Sequence, residues 1–228
     1  MKRKYKKQLH NLKKQFPGLK SEKKDLYFKY FDVAYEDMDF ALAEKFIDEV
    51  TADQESKHNL KMLYAYVMQN EMELHNFKHF FVLDSPDWFS SDAVVKSLEG
   101  IAKVNYIDFY DMGTPTVWWG QFYKTDVIYS TDKKMDTNKV NKLKKVINSD
   151  VVTGRLSGRA DTFEFPLNSV LITENTDMLN KADGGVLIKL KTISSEFTDF
   201  INGEIGSVSL LVHSFNYLNQ NNGKIDFR

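Results

Sequence analysis

Residues 79–102, HFFVLDSPDWFSSDAVVKSLEGIA, set an apolar run, a polar loop and a helical repeat in direct succession. Phe80-Phe81-Val82-Leu83 is an uninterrupted apolar run of the kind that forms a fully buried strand. Residues 84–91 are a polar loop with one proline, and from Ser91 onward Val94, Val95, Leu98 and Ile101 recur at helical spacing. A strand, an eight-residue loop and a helix is the layout of the phosphate-cradling pattern G-x-x-x-x-G-K-[ST]. Laid over it, Asp84 takes the first Gly, Phe89 the second, Ser90 the Lys, and Ser91 the final Ser/Thr. The frame has the right length, but three of its four chemical positions are altered. The residues alone leave two readings: a changed phosphate loop, or an ordinary turn between strand and helix.

Composition bounds the rest. A chain of 228 residues with 42% hydrophobic and 28% charged side chains can bury a sizeable core. No apolar run reaches the length of a membrane span and no signal peptide opens the chain, so no membrane partner is expected. Without cysteine there is no disulfide, thiolate metal site or cysteine nucleophile, which fits a reducing cytoplasmic setting. The net charge of −1 hides an asymmetry: residues 1–24 hold ten basic side chains and one acid, Glu22. A basic arm on an acidic body suggests a polyanionic partner or a solubilising tail.

Along the chain, residues 1–22 read as a basic arm and 23–77 as a small helical region, with 78–228 as the main body. In the helical region Met38, Ala41, Leu42 and Phe46 follow Leu26, Tyr30, Val33 and Ala34 at amphipathic spacing, and Asp39 suits a helix cap. A third helix is expected over 52–74, with Leu60, Leu63, Tyr64, Val67 and Met68 inward. His75 and His79 stand four apart beside Glu73, but a helix end at Asn76-Phe77 would part their rings, so no metal site is expected. Strands are then expected at 104–109, at 116–122 around Trp118-Trp119, and at 126–130. A Lys-rich helix over 137–148 turns Val140, Leu143 and Ile147 inward. A hairpin follows, with its tip at Ser157-Gly158 and the aromatic strand Phe163-Glu164-Phe165. Residues 133–160 carry eight basic side chains and two acids. SVLITE at 169–174 and VLIKLKTI at 186–193 read as further strands. A closing helix over 204–219 carries Ile205, Val208, Leu211, Val212, Phe215 and Leu218 on its apolar side.

This order of parts resembles the superfamily 3 AAA+ helicases, the helicase half of viral, phage and mobile-element primase-helicases. The run KVNKLKKVINSDVVTGRLSGRADTFEFPLNSVLITENTD carries the resemblance. In it Ser149-Asp150 stands for a Gly-Asp pair, Phe163-Glu164-Phe165-Pro166 for a Phe-x-Phe-x-Pro element, and Asn175 for a polar sensor. GGVLIKLKTIS resembles the arginine-finger strand, with Lys189 or Lys191 where Arg is usual, and EIGSVSLLVHSFNYL the helix that follows the core. The likeness covers about residues 78–220. It implies an α/β fold: an AAA+-like P-loop core with a central, mostly parallel sheet and a β-hairpin insertion, here preceded by a small helical layer.

The departures decide what the resemblance implies about chemistry. In a working loop the glycines let backbone N–H groups close around phosphate while Lys meets the β/γ-phosphates. Phe89 cannot take a positive φ without strain. Like charges about 4 Å apart repel by about 1–4 kcal/mol, so Asp84 opposes phosphate. Ser90 lacks the ammonium. Ser91 alone could face a metal, and Asp132 is what remains of the acidic pair after the third strand. Ser90, Ser91, Asp132, Asn175 and Lys189 would thus mark a degenerate nucleotide site: ATP hydrolysis is not expected, and residual ATP/Mg binding is the exception to test. The hairpin keeps its ingredients, with Lys142, Lys145, Arg155 and Arg159 as the candidate nucleic-acid contacts, DNA before RNA. A replication-protein partner or a ring-like homo-oligomer is the further implication. The competing readings are an active ATPase with a shifted nucleotide pose and a structural or virion protein that keeps the fold.

Overall fold

The computed structural model describes residues 37–71, 80–100, 102–107, 119–120, 122–134, 136–148, 151–156, 158–166 and 169–220. The arm at 1–22, the first helical stretch to residue 36, the His75/His79 pair and Trp118 lie outside these residues. Seven strands are described: β1 Phe80–Asp84, β2 Val104–Tyr106, β3 Val127–Ser130, β4 Val151–Gly154, β5 Phe163–Pro166, β6 Val170–Thr173 and β7 Gly185–Lys189. Five form one parallel sheet in the order β2-β3-β6-β1-β7, and β4 and β5 pair antiparallel as a separate ribbon. The protein is mixed α/β around a central parallel sheet.

Parallel strands need helical crossovers, and the crossovers cover both faces. Alternation along β1 sends Phe81 and Leu83 to one side, where they pack with Val127, Tyr129, Val170, Ile172 and Ile188. On that side lie α1 (Phe40–Val50), α2 (Gln54–Glu71), α3 (Trp88–Glu99), the short α5 (Thr198–Asn202) and α6 (Glu204–Gln220). Phe80 and Val82 face the other way, onto Ile128, Leu171, the inner side of α4 (Thr137–Asn148) and the hairpin residues Val152 and Phe165. The strands at 80–84, 127–130 and 170–173 and the helix at 137–148 fall where the apolar runs place them.

Some expectations fail for physical reasons. Trp119 and Gly120 are helical and 122–124 turn, so the expected strand ending at 122 is not extended there. Gly120 packs backbone to backbone on the hairpin: a Cβ on it would stand 2.0 Å from the Arg155 carbonyl oxygen. Ala41 is exposed because α1 buries Ala43, Phe46, Ile47 and Val50. Ile205 at the start of α6 is 46% exposed. Asp39 does cap α1, its Oδ1 accepting from the Leu42 N–H at 2.8 Å.

The helical region closes one edge of the sheet. Beyond β7, Thr51 bridges Leu190 antiparallel, the Ala52 N–H donates to the Lys189 carbonyl at 2.9 Å, and Lys191 N–H to the Val50 carbonyl at 2.8 Å. From α2, Ser56 Oγ accepts from the Lys189 N–H at 3.0 Å and Asn59 Nδ2 donates to the Leu187 carbonyl at 2.8 Å. Edge groups that would otherwise template further pairing are thereby taken.

Three helices meet at Glu44 of α1. It pairs with Lys57 at 2.6 Å and Lys61 at 2.8 Å on α2, and with His213 on α6. Lys61 is almost wholly buried and lies over the Tyr217 ring at 4.1 Å. Burial works to raise the Glu44 carboxyl, but the bonds from Lys57, Lys61 and His213 outweigh it and hold the group at about 2. A carboxyl depressed in the folded state stabilises the protein fully above its ordinary value near 4.5, and that contribution drains away as the pH falls toward 2. Denaturant titrations should therefore show wild type losing stability through this window. Glu44→Gln should be less stable near neutral pH, with the gap narrowing as acid is added; a gap independent of pH would refute the linkage.

Candidate functional site

The C-terminal ends of parallel strands, where the strand order reverses, are where open α/β sheets bind ligands. Here that edge is made by the segments after β1, β3, β6 and β7. Asp84 ends β1 and stands in register with Lys189 on β7. Only Ser85, Pro86 and Asp87 separate β1 from α3, which begins at Trp88 rather than at the expected Ser91. The reason is local. Asp87 is extended at φ −143 and ψ 161, and its Oδ1 accepts from the Ser90 N–H at 2.8 Å, a helix cap. Its Oδ2 accepts from Thr192 Oγ1 at 2.7 Å. The Thr192 hydroxyl first, and then the Ser90 and Phe89 N–H groups against a small burial penalty, hold this carboxyl below the usual range.

The N-terminus of α3 holds a carboxylate of its own chain, that of Asp87. Trp88 does not fill the loop: it is 70% exposed, standing edge-on to the half-buried Phe89. Ser90 and Ser91 sit in the first turn of α3, both fully buried.

Ser91 belongs to a second arrangement. Its Oγ donates to Glu174 Oε1 at 2.9 Å, and the Tyr129 hydroxyl of β3 donates to the same oxygen. Glu174 is buried just beyond β6, and its Oε2 lies 3.7 Å from the Lys133 ammonium. Lys133 also donates to the Ser85 carbonyl at 3.0 Å. One carboxylate thus ties α3, β3, β6 and the segment after β3 together. Burial, and then the bond to Glu174, push the Tyr129 hydroxyl far above its ordinary value, so it stays a donor.

The other candidates are placed around this node. Asp132 is half-buried and pairs with Lys139 of α4 at 3.2 Å. Asn175 is fully buried and caps the 3₁₀ turn Thr176–Asn180, its Oδ1 accepting from the Asp177 N–H at 3.0 Å. Among the described residues its Nδ2 meets no hydrogen-bond partner, and neither do Ser90 Oγ and Ser130 Oγ. Lys189 is exposed, with its ammonium 4.0 Å from Asp53, and Lys191 donates to the Asp48 carbonyl at 3.2 Å. Glu174, Tyr129, Lys133 and Asp87 were not singled out by sequence. Asp87 was the detectable one, as an acid three residues ahead of the N–H it caps.

On the opposite face the ribbon of β4 and β5 pairs Gly154 with Phe163 and Val151 with Pro166. Gly158 at the tip has φ +78, the left-handed conformation that suits glycine. Arg159 is exposed beside the tip and Arg155 half-exposed at its base; Lys145 is exposed on α4, and the Lys142 side chain lies outside the described groups.

Two solved structures share this architecture. Both are described as the A form apo structure of the NrS-1 C-terminal region; one matches at TM-score 0.51 and 11% identity over 73% of this chain, and the other, residues 305–718, at 0.56 and 10% over 75%. The fold is similar to that of the NrS-1 C-terminal region. This chain spans 47% and 44% of those two chains, less than half of each. No protein-family model and no curated protein matches the sequence. Among the described residues no helix is long and apolar enough to cross a membrane.

Proposed function

We propose that this chain is a superfamily 3 helicase-like module that does not turn over nucleotide and that binds nucleic acid, DNA in the first instance, through its basic hairpin. It would serve a phage or mobile-element replication complex as a scaffold, accessory subunit or decoy. The observation that carries the reading is the Asp87 carboxylate on the N-terminus of α3, at the position where a phosphate loop would receive its ligand.

The residues present do not fit Mg-ATP. A phosphate entering at α3 would meet the Asp87 carboxylate, with Asp84 exposed at the end of the neighbouring strand. The Ser91 hydroxyl, the one retained position, spends its proton on Glu174. Lys133 supplies a nearby cation, but it answers Glu174 and the Ser85 carbonyl. The hairpin needs no such machinery: Arg155 and Arg159 offer positive charge at the turn end of the ribbon, with Lys145 exposed on the helix that precedes it, and phosphate contact asks for no more than charge.

Calorimetry with ATP and magnesium should give no heat of binding. Sub-millimolar binding abolished by Ser91→Ala would overturn that half of the reading. DNA affinity measured against salt should fall for Arg155→Ala/Arg159→Ala, and the steepness of its salt dependence should drop by about 1–2 units for two lost phosphate contacts. An unchanged affinity and slope would remove the hairpin from the interface.

A further inference from the structure

Along the β5 strand of the hairpin, from the turn end where Phe163 pairs with Gly154, an aromatic cluster reaches the surface. Tyr123 packs edge-on against Phe163 at 5.1 Å and 79° and against Phe165 at 5.4 Å and 76°, while those two rings lie 5.4 Å apart. Phe165 is buried and Phe163 half-buried, but Tyr123 is 36% exposed. The ring is held by the two Phe rings and is partly open to solvent. Its seat is rigid, because the Tyr123 N–H donates to the Gly120 carbonyl at 3.2 Å and Gly120 abuts the Arg155 backbone.

Charge surrounds it. Lys124 lies over the Tyr123 ring at 5.4 Å, and the exposed Lys103 donates to the Tyr123 carbonyl at 3.3 Å. Lys124 has φ 57, the one positive φ outside glycine among the described residues. A lysine in the left-handed region costs about 1 kcal/mol, and such conformations gather where function keeps them. Asp126, three residues on from Tyr123, is engaged by the Lys103 N–H at 2.7 Å. Glu164 alternates to the other side of the ribbon from Phe163 and Phe165.

We infer that Tyr123 is a base-stacking platform that makes the hairpin site selective for single-stranded nucleic acid, with Lys103 and Lys124 taking the flanking phosphates. Every unpaired base has a π-face to offer, whereas a duplex keeps its faces covered. Arg155 and Arg159 would hold the backbone of the same strand. This inference rests on the proposed nucleic-acid role of the hairpin, and the two fail differently.

The test uses the full chain with oligothymidylate, oligouridylate and a blunt DNA duplex, by fluorescence anisotropy over a range of salt. Tyr123→Leu keeps the apolar contact with the two Phe rings and removes the stacking face; Tyr123→Phe keeps both. Tyr123→Leu should lose about tenfold in affinity for the single strands, with the salt slope unchanged and duplex binding unaltered. Tyr123→Phe should match wild type. Arg155→Ala/Arg159→Ala should instead flatten the salt slope. Comparing the two single strands shows whether the site prefers DNA or RNA. Should Tyr123→Leu unfold, ultraviolet cross-linking of wild type to 5-iodouracil oligonucleotides reads the contact directly, and the adduct should map to Tyr123. If the arginine variant weakens binding while Tyr123→Leu does not, or the adduct maps elsewhere, the stacking inference is overturned and the hairpin reading stands. If wild type binds none of the three, both fall.

Discussion

Gly120→Ala should destabilise the protein by about 3 kcal/mol and release the hairpin from the body. An added Cβ would stand 2.0 Å from the Arg155 carbonyl oxygen and within 2.9 Å of its nitrogen. Both neighbours are backbone, so no side chain can rotate away. On the facing strand a Cβ on Gly154 would lie 2.9 Å from Gly120 Cα and 2.6 Å from the Phe165 ring. The two glycines let two main chains touch. Gly158→Ala makes an instructive contrast: nothing lies within 4 Å of its Cβ, and only the φ of +78 resists it. That change should cost about 1 kcal/mol and stay local to the tip. Chemical denaturation separates them. A Gly120→Ala protein within about 0.5 kcal/mol of wild type would mean that the hairpin does not sit on Gly120.

Glu174→Ala should cost about 3 kcal/mol. It leaves a small cavity and strands the buried Tyr129 hydroxyl, while Ser91 Oγ, which shares the same carboxylate oxygen, is left with the Trp88 carbonyl at 3.3 Å. Glu174→Gln keeps an acceptor for both and loses only the charge facing Lys133, so it should cost about 1 kcal/mol, as befits a pair with one exposed partner. Tyr129→Phe in the Glu174→Ala background should cost less than in wild type, because its acceptor is already gone. Equal costs in both backgrounds would show that the tyrosine and the glutamate act independently. Unfolding curves for the four proteins settle it.

These sites differ in how much the chain reveals of them. β1, β3 and β6 are apolar runs whose burial needs no partner to be recognised, and α4 carries its own 3.6-residue period from Val140 to Ile147. The hairpin announces itself through Ser157-Gly158 and the alternating aromatics that follow. The start of α3 is hidden in sequence because the apolar repeat begins at Val94, while the Asp87 cap starts the helix earlier. The helical Trp119-Gly120 and the turn at 122–124 are hidden in sequence because aromatic residues favour strands, and only contact with the hairpin backbone shows why glycine stands at 120.

Sequence alone determined the class of the fold, the order of its parts and the basic character of the hairpin, because each is written in local period, composition and turn chemistry. It also set residues 84–91 between a buried strand and the apolar repeat of a helix. Only the tertiary structure decided what occupies that place. Glu174 meets Ser91 from 83 residues away and Tyr129 from 45, and Thr192 reaches Asp87 across 105. Such pairings exist only once the sheet has brought strand ends together, and no local pattern encodes them. The sheet edge is set by short-range preference; the carboxylates that occupy it are set by packing.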